Sequence, residues 1–183
     1  VVQPFSLDST DVYREHWQAL TELIKENYDA SNFLWGDDYY IEDLWGEDGV
    51  VVSKKASIST ESLLAGFVIH LYPGNGFTED TWNAAIKSVR ISGVKTSAII
   101  NLSTGVVTAT GNAGEIIPLA TSEDKFEAVT IPQEVADNSK FIVINVDGID
   151  YIYYSGYDLK PSGKQGVSLA INKTEGTVEL YFR

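Results

Sequence analysis

The sequence predicts a mainly β protein: an antiparallel β-sandwich with one N-terminal α-helix. Three observations support this fold class. From Val50 onward, short apolar runs rich in β-branched and aromatic residues recur at the spacing expected of sandwich strands. Turn-forming Gly, Pro, Asn and Asp residues separate these runs. A single early stretch has its apolar residues at helical spacing, so we expect little other helix.

The helix is predicted over residues 11–28. Ser9, Thr10 or Asp11 can cap its start, and residues 29–32 form a turn after it. The acidic, aromatic stretch over residues 37–49 is predicted next to form a solvated loop or an irregular strand pair. We therefore divide the chain into a lead-in segment, residues 1–49, and a β-sandwich domain, residues 50–183. The apolar stripe of the helix consists of Val12, Tyr13, Trp17, Leu20, Leu23 and Ile24.

The sandwich domain is predicted to contain a series of short strands. Asp147-Gly148 is the clearest hairpin signal, because Asp-Gly supplies the positive φ angles of a tight primed turn. The Gly-Asn-Ala-Gly segment at 111–114 is interpreted as a turn, and residues 77–82 as a turn or one helical turn. The predicted strands are Val50–Ser53, Leu63–Tyr72, Ile86–Ile91, Ser97–Asn101, Val106–Ala109, Glu115–Ala120, Phe126–Ile131, Phe141–Val146, Tyr151–Ser155, Gly166–Ile171 and Thr177–Phe182.

Charge and composition exclude several functional classes. The net charge of −13 and the pI of about 4.4 repel phosphate backbones and anionic lipids, so we expect no nucleic-acid partner. The chain has no Cys, which excludes disulfides, thiolate zinc sites and a Cys nucleophile. No apolar run approaches the roughly 20 residues of a membrane span, so we expect none.

The residues needed for catalysis do not occur in a recognisable pattern. The two histidines, His16 and His70, have no metal-binding spacing, and no nucleophile elbow or phosphate-binding loop occurs. The acidic residues of 37–48 could bind Ca²⁺, but they lack the spaced carboxylates of a calcium loop, which favours a solvated acidic loop. We therefore predict a protein that is not an enzyme, with no catalytic residue, no cofactor and no metal.

One aromatic group is a candidate contact surface. Tyr39, Tyr40 and Trp45 lie in the acidic stretch. If their rings are exposed, they could stack on sugar rings or anchor a protein partner. The alternative is that they pack in a core and pair across strands.

Several segments occur in an order that is similar to a known family. Asn32-Phe33-Leu34-Trp35-Gly36 looks like the short Leu-Trp signature that precedes the second domain of that family. Further segments that match in order are 74–80, 91–96, 101–111, 131–133, 141–148, 162–165 and 169–173. Together they resemble the fimbrillin-like family, the Bacteroidetes type V pilins and Mfa-like surface adhesins. One departure is Thr60-Glu61-Ser62, where the family usually has a Phe-x-His element.

The resemblance implies a fold, a role and a location. It implies a transthyretin-like, Greek-key sandwich corresponding mainly to the second family domain, with an N-terminal domain absent or removed. It implies a non-catalytic structural subunit or adhesin of surface fimbriae, whose partners are other pilin subunits and a host protein or glycan. It also implies export as a lipoprotein precursor that is trimmed, and a location at the outer membrane in the extracellular fimbrium.

The resemblance further implies assembly through strand-edge pairing, as in fibres that exchange strands between subunits. The terminal run 176–183 is the candidate edge or donor strand, because Val178, Leu180 and Phe182 share one face. The alternative is an ordinary closing strand of its own sandwich. A second functional hypothesis is a cell-surface carbohydrate-binding module that uses exposed Tyr39, Tyr40 and Trp45.

Overall fold

A computed structural model describes residues 25, 34–36, 39–45, 47, 51–58 and 61–182. Of the helix predicted over 11–28, Lys25 alone falls in this part of the chain, and it is helical. The rest of that prediction, including its cap and its apolar stripe, lies outside the described residues.

The described part of the chain is built mainly from strands. Besides the helical residue Lys25, it contains helix α1 (Glu79–Ala84). Its strands are β1 (Leu34–Trp35), β2 (Tyr39–Trp45), β3 (Val51–Ile58), β4 (Glu61–Ser62), β5 (Ala65–Pro73), β6 (Lys87–Asn101), β7 (Val106–Ile116), β8 (Leu119–Ser122), β9 (Lys125–Thr130), β10 (Gln133–Val135), β11 (Lys140–Val146), β12 (Ile149–Tyr154), β13 (Tyr157–Leu159), β14 (Gly163–Asn172) and β15 (Thr177–Leu180).

Two larger sheets organise these strands. One has five strands in the order β15-β14-β5-β9-β8, and the other has four in the order β12-β11-β6-β7. Two-stranded pairs are formed by β1 with β4, β2 with β3 and β10 with β13. Neighbouring strands run antiparallel, except that β14 runs parallel to β5, with Gly163 opposite Ala65. This parallel pair departs from the purely antiparallel sandwich that the sequence predicts.

Among residues 61–182, one hydrophobic core lies between the two larger sheets. On β5 every second residue is buried, because alternate side chains of a strand point to opposite faces: Ala65, Phe67, Ile69 and Leu71 face inward. They join one cluster with residues of β14 and β9 and with residues of β6 and β11 from the opposite sheet. The predicted mainly β sandwich is therefore confirmed.

The Asp147-Gly148 hairpin is confirmed. It joins β11 to β12, and both turn residues have positive φ, 51° and 85°. The Gly148 N–H donates to Asn145 Oδ1 at 3.0 Å. The Ile86 N–H donates to Asp147 Oδ1 at 2.9 Å, so the same turn also fixes the start of β6.

One turn prediction and the division of one predicted strand are corrected. The Gly-Asn-Ala-Gly segment at 111–114 is not a turn but lies inside β7, where Gly111 has a φ of +76°. The predicted strands Ile86–Ile91 and Ser97–Asn101 form one strand, β6, whose register shifts near Gly93 and Thr96. Glycine here allows a bulge rather than a chain reversal. Residues 77–82 lie around helix α1, which begins after Thr78 in a capping box with Thr81.

Candidate functional site

The last strand, β15, is the outer strand of the five-stranded sheet. It pairs antiparallel with β14, and the ladder continues past its end, where the Tyr181 N–H donates to Ser168 O at 2.8 Å. In the described part of the chain, no strand pairs with the other side of β15. Its outward N–H and C=O groups can therefore accept another strand.

The apolar face of β15 extends beyond the core. Val178 is half-buried and packs against the core cluster. Leu180 is 45% exposed and Phe182 is 84% exposed. On the opposite face, Tyr181 stacks on Tyr72, with ring centroids 4.0 Å apart. Of the three predicted contact residues, Val178 and Leu180 lie on β15 and Phe182 lies two residues beyond its end, and Leu180 and Phe182 have large exposed apolar side chains.

Strand β12 lies beside β15 at the same edge of the sandwich. It is the outer strand of the four-stranded sheet and carries two further exposed apolar side chains, Ile149 and Tyr154. We call this side, formed by β12 and β15 and continuing to Phe182, the C-terminal edge. Exposed apolar groups concentrated on neighbouring edge strands are typical of protein contact sites.

The opposite edge of the four-stranded sheet is formed by β7. Strand β6 pairs with β11 only from Lys87 to Ile91, whereas it pairs with β7 as far as Asn101. The ends of β6 and β7 therefore project past β11 as a two-stranded hairpin. No charged residue occurs from Thr96 to Gly114, although the chain carries a net charge of −13. We call this segment, 96–114, the neutral hairpin.

Aliphatic side chains are exposed on the neutral hairpin. Ile99 is 68% exposed and Val106 is 58% exposed, and Leu102 in the connecting turn is 69% exposed. Edge strands of soluble proteins usually carry Lys, Pro or other protective residues that prevent pairing. β7 has none of these between Val106 and Gly114. Sequence reasoning missed this feature, although the charge-free run was a readable signal.

The predicted aromatic surface is only partly described. Tyr39, Tyr40 and Trp45 all lie on β2, which pairs antiparallel with β3, so residues 39–45 form a strand and not the solvated acidic loop predicted over 37–49. Their side chains lie outside the described residues, so their use as a contact surface stays a prediction. The acidic side chains weighed as Ca²⁺ ligands, in 37–48, are likewise outside them, apart from the exposed Glu47.

Titratable groups in the described part of the chain form no recognisable reaction centre. Among those residues, no three His, Asp or Glu side chains cluster as metal ligands. Burial raises the pKa of the Tyr157 phenol above 10.0, and the charge of Tyr153 raises it further. The neutral hydroxyl donates a hydrogen bond to Gly166 O at 3.2 Å. The ring is partly buried and packs on Phe67 and Phe141. In the described ranges, no helix has both the length and the apolar character to cross a membrane.

Comparison with known proteins finds a family and several solved structures. A family model for fimbrillin-like proteins matches residues 16–180. A proposed cell adhesion protein from Bacteroides ovatus is similar with a TM-score of 0.50 and 12% identity, over 79% of this chain and 59% of that one. A second, from Bacteroides uniformis, gives a TM-score of 0.48 and 20% identity, over 78% of this chain and 63% of that one.

These matches differ in what they show. At such low identity the Bacteroides ovatus structure is evidence for a shared fold alone, and this chain spans less than two thirds of either protein's length. No curated protein matches the chain.

Proposed function

We propose, from the premise that the chain belongs to the fimbrillin-like family, that it is a non-catalytic structural subunit or adhesin of bacterial surface fimbriae. Family membership supports a role at the cell surface. The location at the outer membrane, the lipoprotein precursor and the partnership with other pilin subunits are part of this proposal. A host protein or glycan as a further partner is also part of it.

One observation carries the proposal: two opposite edges of the sandwich, one where β12 and β15 lie side by side and one formed by β7 and the end of β6, expose apolar side chains on or beside outer strands. The C-terminal edge presents Leu180 and Phe182, and the neutral hairpin presents Ile99 and Val106. Exposed apolar edges of this kind do not stabilise a soluble monomer of net charge −13. A subunit that assembles through its sheet edges needs them, because main-chain hydrogen bonds and apolar contacts supply its binding energy.

We propose that assembly joins the C-terminal edge of one subunit to the neutral hairpin of the next. The two surfaces lie on opposite sides of the sandwich, since β12 and β7 are the two outer strands of one sheet. A contact between different surfaces generates an open chain of subunits unless the rotation closes a ring. Charge favours the same arrangement. Two copies of the chain, each with a net charge of −13, repel each other least where one of them presents the neutral hairpin, which has no charged residue.

Cysteine cross-linking tests this contact on a clean background, because the chain contains no Cys. Leu180→Cys and Val106→Cys are made in separate preparations, mixed and oxidised. We expect a mixed disulfide to predominate, because a disulfide forms only where the two Cβ atoms lie about 3.5–4.5 Å apart. The product is measured by non-reducing electrophoresis and mass spectrometry.

Ile86→Cys is the matched control. Ile86 is 76% exposed but precedes β6, at the end away from the hairpin tip. Cross-linking of Leu180→Cys to Ile86→Cys as efficiently as to Val106→Cys would contradict the proposed contact. A product dominated by Val106→Cys homodimers would contradict the open chain and indicate a twofold-symmetric dimer instead.

A further inference from the structure

A groove of about 540 Å³ lies between helix α1, the end of β5 and the turn from β8 to β9. This volume is within the range of about 300–1,000 Å³ that small-molecule sites occupy. The lining of the groove contains none of the exposed apolar residues used in the proposed assembly, although its Tyr72 stacks on Tyr181 of the C-terminal edge. We call it the helix-side groove, and the side chains that matter here are His70, Tyr72, Glu79, Asn83, Ser122 and Asp124.

Asp124 is held in a fixed position in this groove. Its backbone oxygen accepts a hydrogen bond from the Leu71 N–H at 2.8 Å. Its Oδ2 accepts from the Trp82 indole N–H at 3.1 Å, and its Oδ1 lies 3.1 Å from Lys87 Nζ. The Lys87 side chain is only 3% exposed, and its ammonium also donates to Trp82 O at 2.8 Å.

This arrangement leaves a rigid carboxylate with acceptor capacity. Its Oδ1 is buried beside Lys87, so a ligand approaches Oδ2, which accepts one protein hydrogen bond, from the Trp82 indole. A carboxylate oxygen has room for about two hydrogen bonds, and the Asp124 side chain is partly exposed. A hydroxyl group of a ligand can therefore donate to Oδ2 without any rearrangement of the protein, which lowers the entropic cost of binding.

The other polar side chains of the groove are available to a ligand. Within residues 61–182, the His70, Glu79, Asn83 and Ser122 side chains make no hydrogen bond or ion pair. The amide of Asn83 and the hydroxyl of Ser122 can both donate and accept, as sugar hydroxyl groups do. The Tyr72 ring, supported from one side by its stack on Tyr181, adds an aromatic wall for the C–H faces of a sugar ring.

The charge balance selects an uncharged ligand. Lys87 neutralises Asp124, so a metal cation would find only the carboxylate of Glu79 without a counter-charge. Lys125, which also borders the groove, forms an ion pair with Glu127 at 2.5 Å, so an anion would find no unpaired lysine there. From the fixed carboxylate, the open hydrogen-bonding groups and the aromatic wall, we propose that the helix-side groove binds a neutral saccharide.

An array of neutral mono-, di- and trisaccharides tests the proposal, with sulfated and sialylated glycans on the same array. The best neutral binder is then titrated calorimetrically into the full chain. We expect binding of neutral sugars that the paired change His70→Ala and Asn83→Ala weakens at least roughly tenfold, as expected for lost hydrogen bonds. Asn83→Ala alone gives a smaller loss, and Ala is well tolerated in a helix.

Asn112→Ala is the matched control, since Asn112 is an exposed Asn on β7. It should bind as tightly as the wild-type protein. Three results overturn the proposal: no neutral sugar binds, only charged glycans bind, or the paired variant retains wild-type affinity. If neutral-sugar binding instead disappears with Trp45→Ala and survives the paired change, the site is the β2 aromatic surface and not this groove. None of these outcomes depends on whether the subunits assemble.

Discussion

The ion pair between Lys87 and Asp124 should contribute far more to stability than an exposed ion pair with the same 3.1 Å distance. Asp124→Asn removes the counter-charge of an ammonium whose side chain is 3% exposed, while the Trp82 indole can still donate to the new amide oxygen. Breaking a fully buried ion pair costs about 3–5 kcal/mol. The Asp124 side chain is 37% exposed, so hydration reduces that cost, and we expect about 2–3 kcal/mol. For a chain of this size that lowers Tm by about 4–12 °C.

A double-mutant cycle, measured by urea unfolding, separates this interaction from general damage. Lys87→Met keeps the apolar stem against Trp82 but removes the charge, so the double variant Lys87→Met with Asp124→Asn contains no unpaired buried charge. We expect the double variant to lose at least about 1 kcal/mol less than the sum of the single losses. Losses that add to within about 0.5 kcal/mol would refute the reasoning. The exposed pair Lys160–Asp158, at 3.3 Å, is the control, and Asp158→Asn should cost less than about 1 kcal/mol.

Three further predictions concern the core, the parallel strand pair and pH. Phe67→Ala should cost about 3–5 kcal/mol in urea unfolding because Phe67 is 1% exposed, whereas Phe182→Ala should change stability by less than about 0.5 kcal/mol. Gly166→Ala should cost about 1–3 kcal/mol, because the new Cβ would lie 2.5 Å from a backbone oxygen of β5. Gly163→Ala, whose Cβ would meet nothing within 4 Å, should be nearly neutral, and equal losses would contradict this account. The raised pKa of Tyr157 stabilises the fold fully below pH 10.0 and progressively less above it, so Tyr157→Phe should make the unfolding free energy fall less steeply in alkaline titration.

The sequence was most informative where local chemistry decides structure. Asp147-Gly148 predicted its hairpin because few residues adopt two successive positive φ angles. The strand predicted over Leu63–Tyr72 largely coincides with β5, where alternate side chains face the core. Local sequence could not predict that β14 would lie parallel to β5, because that pairing depends on how the intervening strands pack around the core. The same limit explains why Gly111 was interpreted as a turn, since glycine serves bulges and reversals equally well.

The candidate contact edges likewise combine features that local sequence predicts with features that depend on tertiary packing. The shared face of Val178, Leu180 and Phe182 follows from spacing alone, but the point at which the core ends beside Val178 does not. The neutral hairpin was readable as a run without charge, yet its exposure follows from β11 stopping opposite Ile91. Exposure of an apolar residue is a property of its neighbours in space, and the length of a neighbouring strand cannot be read from local sequence.

The parallel pairing of β5 and β14 also determines when the five-stranded sheet can form during synthesis of the chain. The two strands are roughly a hundred residues apart along the chain, and β5 occupies the centre of its sheet between β14 and β9. A nascent chain that has not yet emerged past residue 172 therefore leaves one side of β5 unpaired and Leu71 without its cross-strand neighbour Leu169. Completion of this sheet must wait until β14 has been synthesised, and long-range pairing of this kind is slow. A ribosome-bound chain truncated before Gly163 should accordingly remain as sensitive to protease as an unfolded polypeptide.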